Sequence, residues 1–193
     1  MTIETEIKIA ISPDRWESLR RHQRLILVHP RTFEDNWLFD TPACHLAKQH
    51  CLLRLRRYGD RIELTWKEPV LSVPENFKVR KEITITVSDL DATRTLLERL
   101  GYTVWFRYQK YRSLYRFNEL QIMLDETPIG MYVELEGEPQ AIETTLQQWG
   151  WPDLPRITAT YYDLFVQARC EGRFHGEHLV FPPPSTDRDP HTT

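Results

Sequence analysis

The sequence predicts an α+β protein, an eight-stranded antiparallel β-barrel closed into a tunnel, with a charged lumen and helices packed outside. Three observations lead there. Eight segments alternate apolar and polar residues with a period of two, the pattern of half-buried strands. Most of them follow one another across short turn signals, which is hairpin order. Three or four further segments read as helices whose apolar stripes need a surface to cover, and the strands' apolar faces are the available one. The covered face is then the outer one, so the charged faces turn inward. Closure of the sheet accommodates eight strands without exposed edges.

The first strand, roughly 3–10, sets the pattern. Glu4, Glu6 and Lys8 lie on one face, and Ile3, Thr5, Ile7 and Ile9 on the other. Ser12-Pro13-Asp14 starts a helix carrying Trp16 and Leu19, with Ser12 as N-cap and Pro13 at the first helical position. His29-Pro30 interrupts the chain before a second strand at about 32–40, which ends at Thr41-Pro42. Residues 50–58 and 61–68 form a hairpin around Gly59-Asp60. Arg54 and Arg56 share a face of its first arm, and Glu63, Thr65 and Lys67 share a face of its second. A loop over 69–77, with Pro69 and Pro74, leads to a fifth strand at 78–87, where Arg80, Glu82 and Thr84 oppose Val79, Ile83, Ile85 and Val87.

Ser88 or Asp89 caps a helix over 91–100, with an apolar stripe of Leu90, Leu96, Leu97 and Leu100, closed by Gly101. A long sixth strand at 103–116 presents Tyr108, Lys110 and Arg112. The seventh, 119–125, ends at Asp125, and the eighth, 131–137, pairs Glu134 with Glu136 on one face. Pro139 opens a helix ending at Trp149-Gly150, and 156–168 form a last helix on the outside. The domain so defined spans 1–170. From 171 the chain turns to Gly, His, Pro and Thr, with Pro182-Pro183-Pro184, and reads as a disordered tail over 171–193.

Composition narrows the function. A net charge of −3 provides no global basic field for nucleic acid. The longest aliphatic run, Leu25-Ile26-Leu27-Val28, is far short of a membrane span, and no signal segment opens the chain, so a cytoplasmic protein is expected. Cys44, Cys51 and Cys170 are an odd number without C-x-x-C spacing and read as free thiols. A zinc site from Cys44, His45, His50 and Cys51 matches no common ligand spacing. Phosphate-loop, nucleophile-elbow and H-E-x-x-H motifs are absent.

The lumen would hold Glu4, Glu6, Lys8, Arg54, Arg56, Lys67, Arg80, Glu82, Lys110, Arg112, Asp125, Glu134 and Glu136. A dry interior does not tolerate so many ions, since each unpaired one costs several kcal/mol. A wet tunnel that binds a charged ligand does. Hard carboxylate oxygens suit Mg²⁺ or Mn²⁺, and arginine forks suit phosphate oxygens. A small molecule carrying several phosphates together with metal satisfies both sets, whereas internal salt bridges are the competing outcome.

In this order and spacing, Glu4-x-Glu6-x-Lys8, Phe39-Asp40-Thr41-Pro42, Leu53-Arg54-Leu55-Arg56, Leu64-Thr65-Trp66-Lys67, Arg80-x-Glu82, Lys110-Tyr111-Arg112, Leu124-Asp125, Gly130-x-x-Val133-Glu134-x-Glu136 and Thr160-Tyr161-x-Asp163-Leu164 resemble the CYTH, or triphosphate tunnel metalloenzyme, superfamily. That superfamily includes class IV adenylate cyclases, thiamine triphosphatases and inorganic triphosphatases. The resemblance implies metal ligands at Glu4, Glu6, Glu134 and Glu136 with Asp125 assisting. It implies triphosphate-binding groups at Lys8, Arg54, Arg56, Lys67, Arg80, Lys110 and Arg112, and catalytic roles for Lys8, Lys110 and Glu82, the last positioning water or metal or else orienting a base. Tyr161 and Asp163 are expected to fix the last helix. The expected activity is metal-dependent hydrolysis of a triphosphate. The alternatives are cyclisation of ATP to cyclic AMP and pyrophosphate, and non-catalytic binding of polyphosphate or nucleotide. The chain is expected to act as a monomer or homodimer, without nucleic acid or membrane.

Overall fold

A computed structural model describes residues 1–70 and 76–183. Its strands are β1 (Thr2–Ala10), β2 (Ile26–Asp40), β3 (Leu52–Tyr58), β4 (Arg61–Pro69), β5 (Lys78–Val87), β6 (Thr103–Phe117), β7 (Leu120–Thr127) and β8 (Gly130–Glu136). They close into one barrel in the order β1-β5-β4-β3-β2-β6-β7-β8, every neighbouring pair antiparallel. The helices are α1 (Pro13–Arg20), α2 (His45–Lys48), α3 (Leu90–Arg99), α4 (Pro139–Gln148) and α5 (Tyr161–Cys170).

The apolar faces point outward and are roofed by helices, as the alternation requires. Trp16 and Leu19 of α1 and Ile142 and Leu146 of α4 cover Ile7, Ile9, Ile122, Leu124, Val133 and Leu135 on the outside of β1, β7 and β8. Leu97 of α3 covers Trp37, Phe39 and Leu55. Each such side chain, fully buried, contributes about 1.5–3 kcal/mol. Of the leucine stripe expected on α3, only Leu97 is buried; Leu96 and Leu100 are exposed. Leu90 and Leu97, seven residues apart, follow the line that meets the sheet. Asp89, rather than Ser88, caps α3 by accepting from the Ala92 N–H at 2.9 Å.

The mouth of the barrel is arranged differently. Tyr161, Leu164 and Phe165 of α5 pack on Leu38, Phe106, Tyr108 and Tyr132, which belong to the inward-facing register of their strands. α5 therefore lies outside the wall but across one end of the tunnel. It starts at Tyr161, later than expected, because Thr160 and Asp163 form a reciprocal capping box: Thr160 N–H donates to Asp163 at 2.8 Å, and Asp163 N–H donates to Thr160 Oγ1 at 3.2 Å.

Three further differences from the sequence reading have local causes. β2 begins at Ile26 and runs through His29-Pro30. β3 pairs only with Glu34–Phe39, so Pro30 sits on a free edge where a missing N–H breaks no ladder bond; the β6 side absorbs it with register shifts. The short helix α2 was not anticipated. It is built on Asp40, whose carboxylate accepts from the backbone N–H groups of Thr41, Leu46 and Ala47 at 2.7–2.9 Å. Finally, the structure describes residues 171–183 of the segment read as a disordered tail, and part of it lies against the barrel. β7 pairs with β6 only from Tyr111 onward, and Leu179 fills the open edge before it: its N–H donates to Arg107 O at 3.0 Å, and Gln109 N–H donates to its carbonyl at 2.8 Å. The remainder of that tail, and most of the loop expected at 69–77 including Pro74, lie outside the described residues.

Leu179 is fully buried. Leu179→Ala should therefore lower the unfolding free energy by about 2–4 kcal/mol in urea titration; an undocked tail would give no change.

Candidate functional site

A cavity of about 1130 Å³ occupies the tunnel and opens at its mouths. Twelve of the thirteen charged residues expected in the lumen line it: Glu4, Glu6, Lys8, Arg54, Arg56, Lys67, Arg80, Glu82, Lys110, Arg112, Glu134 and Glu136. Asp125 does not. It is fully buried behind the cavity, where Lys110 Nζ donates to it at 2.8 Å, Arg112 Nε at 2.6 Å and the Tyr161 hydroxyl at 2.6 Å. Its oxygens are committed to aiming bases rather than to facing a ligand.

The sequence reading left out several lumen residues. Glu34 is fully buried and lies 3.6 Å from Lys110, 3.7 Å from Arg56 and 4.0 Å from Arg112. Lys78 pairs with Glu6 at 2.7 Å. Both lie on the inward parity of their strands, so the signal was present: Lys78 stands two residues before Arg80. Glu63, grouped on the inner face of β4 but given no role, binds Arg56 and Arg61. Tyr161, expected to fix the last helix, donates its hydroxyl to Asp125 and also reaches the lumen, which strand parity does not signal because a separate helix brings it in. Its ring lies 4.3 Å from Lys8 Nζ and 4.8 Å from Lys110 Nζ, packing against both ammonium groups. Burial, then the neighbouring Asp125 and Glu134 charges, hold its hydroxyl protonated well above the ordinary tyrosine range. Asp163 caps α5, as expected.

Among the described residues most lumen charges are paired. Glu134 contacts Lys8 at 3.4 Å and binds Arg112. Lys67 bridges Glu4 and Glu82, reaching Glu82 at 2.8 Å. Burial raises the carboxyl pKa of Glu82, but Lys67 outweighs it and holds that group at about 2. Burial lowers the pKa of Lys8, reinforced by Lys78 and Lys110, despite Glu134. Three lumen charges among the described residues stand outside this balance. Arg80 makes no ion pair, and its guanidinium donates to the His50 carbonyl. Arg54 is buried, donates from Nη1 to the Tyr108 hydroxyl at 3.4 Å, and leaves its Nε without a partner. Glu136 meets no cation in ion-pair contact; burial, then Glu4 and Glu6, push its carboxyl up to about 7.

The site therefore holds a buried base short of acceptors and, in Glu136, an acid short of a cation. Nine acidic and nine basic side chains line the cavity, so a bare polyanion would meet as much repulsion as attraction. Hard-oxygen donors Glu4, Glu6 and Glu136 are chemically suited to a divalent cation. No three His, Cys, Asp or Glu side chains among the described residues converge to hold a metal as they stand, because Lys67 and Lys78 draw Glu4 and Glu6 toward themselves.

Residues 2–149 match the CYTH domain, and the chain belongs to that family. A relative from Methanocaldococcus jannaschii, named as a candidate adenylate cyclase, is 24% identical over 136 residues, which are 69% of this chain and 76% of the relative. A structure from Pyrococcus horikoshii superposes with a TM-score of 0.73 at 24% identity, covering 86% of this chain and 99% of that one. One from Hippeastrum, named as a candidate adenylyl cyclase and described as having a dominant triphosphatase activity, superposes with a TM-score of 0.64 at 21% identity, covering 92% of this chain and 99% of its own. At these identities the structures bear on the fold.

A carboxyl whose folded pKa lies above its unfolded value takes up protons on folding. The stability it contributes is intact below the unfolded pKa and is lost as pH rises through the folded one. For Glu136 that window runs from 4.5 to about 7. Glu136→Gln should thus stabilise the protein in chelator at pH 8 by about 1–3 kcal/mol, and by much less at pH 5, in urea unfolding at the two pH values.

Proposed function

We propose that this protein is a divalent-metal-dependent triphosphatase that binds the triphosphate along the basic wall of the tunnel and delivers water to its terminal phosphorus. The observation that carries the reading is the imbalance at the two ends of the ion-pair network: an uncommitted, buried Arg54 and an uncommitted Glu136 line one cavity. CYTH proteins are in general dependent on divalent metal, which accords with the acids present.

Arg54, with its free Nε, accepts phosphate oxygens without breaking an existing ion pair. Lys67 exchanges Glu4 for a phosphate oxygen, and Lys78 exchanges Glu6. The released carboxylates and Glu136 would hold Mg²⁺ or Mn²⁺, which when bound neutralises phosphate charge and makes water more acidic. Lys110 and Arg112, held by Asp125, keep fixed directions and stabilise charge on the transferring group without reorganising. Lys8, packed on the Tyr161 ring and bound to the Ala159 carbonyl at 3.1 Å, is similarly fixed. Glu82, a carboxylate paired with Lys67, would orient water. Glu134, bound to Lys8 and Arg112, serves the bases rather than a cation. In this reading the protein is cytoplasmic.

A second reading, cyclisation of ATP, uses nearly the same residues. It is favoured by the naming of the Methanocaldococcus relative. A third, binding without turnover, needs the bases but not the acid surplus around Glu136.

Phosphorus NMR with Mg²⁺ or Mn²⁺ separates them. Orthophosphate from tripolyphosphate or ATP is the expected product; pyrophosphate with cyclic AMP from ATP would establish the cyclase, and binding without metal-dependent turnover the third reading. Arg54→Ala and Arg56→Ala should each reduce kcat/KM by about 10²–10³, with Arg54 the larger loss because Arg56 is already neutralised by Glu63. Normal turnover by both variants would overturn the assignment.

A further inference from the structure

Resting on the triphosphate reading above, we propose that Trp105 and Tyr162 form a stacking platform for a nucleobase at the mouth covered by α5, so that the substrate is a nucleoside triphosphate rather than inorganic triphosphate. The pairing of β2 with β6 slips at this point. Leu38 pairs with Phe106 and Phe39 with Val104, leaving Trp105 as the extra residue of a β-bulge. Bulges re-aim side chains, and they recur beside functional sites. By strict alternation Trp105 would point away from the lumen, opposite to Phe106 and Tyr108. Here it lines the same cavity as Arg54 and Lys110.

Its partner is Tyr162 in the first turn of α5. The two rings meet edge-on, with centroids 4.7 Å apart at 74°, and Phe106 supports Tyr162 from a second side at 5.1 Å. Trp105 and Tyr162 each remain 37% exposed, although both border a deep cavity. Edge-to-face pairing satisfies one contact per ring and leaves aromatic face available. Such faces hold bases of any identity, because every base has a π-face.

The spacing agrees. Five residues of β6 separate Trp105 from Lys110, roughly 16 Å at strand rise, the reach of an extended nucleotide from base to terminal phosphate. A base at the mouth thus leaves the phosphates among the lumen bases. Inorganic triphosphate would have no use for this aromatic corner.

The test compares ATP with tripolyphosphate in parallel kinetics, read as the ratio of their kcat/KM values. Trp105→Leu keeps apolar cover over α5 but removes the aromatic face. It should lower the ATP-to-tripolyphosphate ratio by about tenfold, chiefly through KM for ATP. Trp105→Phe should recover most of the ratio, and Tyr162→Leu should behave like Trp105→Leu. A ratio unchanged in both leucine variants, whatever the absolute loss, would mean that the pair only docks α5 and would overturn the proposal. So would a wild-type protein that processes tripolyphosphate but not ATP, with the triphosphate reading left standing. If the wild-type protein binds and processes neither, the triphosphate reading itself falls and takes this inference with it.

Discussion

The carboxylate of Asp125 is the contact on which the site depends. It is sealed from solvent behind the lumen wall, and its charge is compensated by Lys110 and Arg112 of β6 and by the Tyr161 hydroxyl of α5. One buried anion thereby sets the direction of two bases and ties the helix that closes the mouth to the barrel that forms the tunnel. Removing either partner of such a group leaves an uncompensated buried charge, which costs several kcal/mol, so the arrangement holds as a unit. Tyr161 extends it, since the ring that donates to Asp125 also packs against Lys8 and Lys110.

A lumen crowded with ions is stable here because nearly every charge has an opposite neighbour. Paired buried ions add little net stability, because desolvation offsets their attraction. The barrel is therefore held by the outer apolar layers beneath α1, α3 and α4, and the inner layer is free to serve ligands. In the proposed function, exchange of carboxylates for phosphate oxygens would cost little, since one set of ion pairs would replace another. The groups that do not balance, Arg54, Arg80 and Glu136, are where a charged ligand would change the energy most.

Much of the site was legible in the sequence because a strand has a period of two. Once Glu4, Glu6 and Lys8 share a face, the parity of each later strand follows from its own alternation, and twelve of the thirteen expected residues line the cavity. Parity also encoded Glu34 and Lys78, but their neighbours gave no local reason to single them out. What alternation does not report is depth. Asp125 shares the inward parity, yet it lies behind the bases instead of beside the ligand, because β6 places Lys110 and Arg112 between it and the cavity.

The sequence by itself determined the strand count, the inside-out polarity of the barrel, the hairpin at Gly59-Asp60 and the helix starts at Ser12 and Pro139, because each rests on local sterics, capping or side-chain periodicity. The tertiary structure alone decided which ions pair, that α5 lies across a mouth with Tyr161 over two lysines, that Leu179 completes the edge of β6, and that a register slip turns Trp105 into the cavity. These outcomes depend on contacts between residues far apart in the chain, whose energies arise only when the barrel closes and brings burial and charge into the same few ångströms.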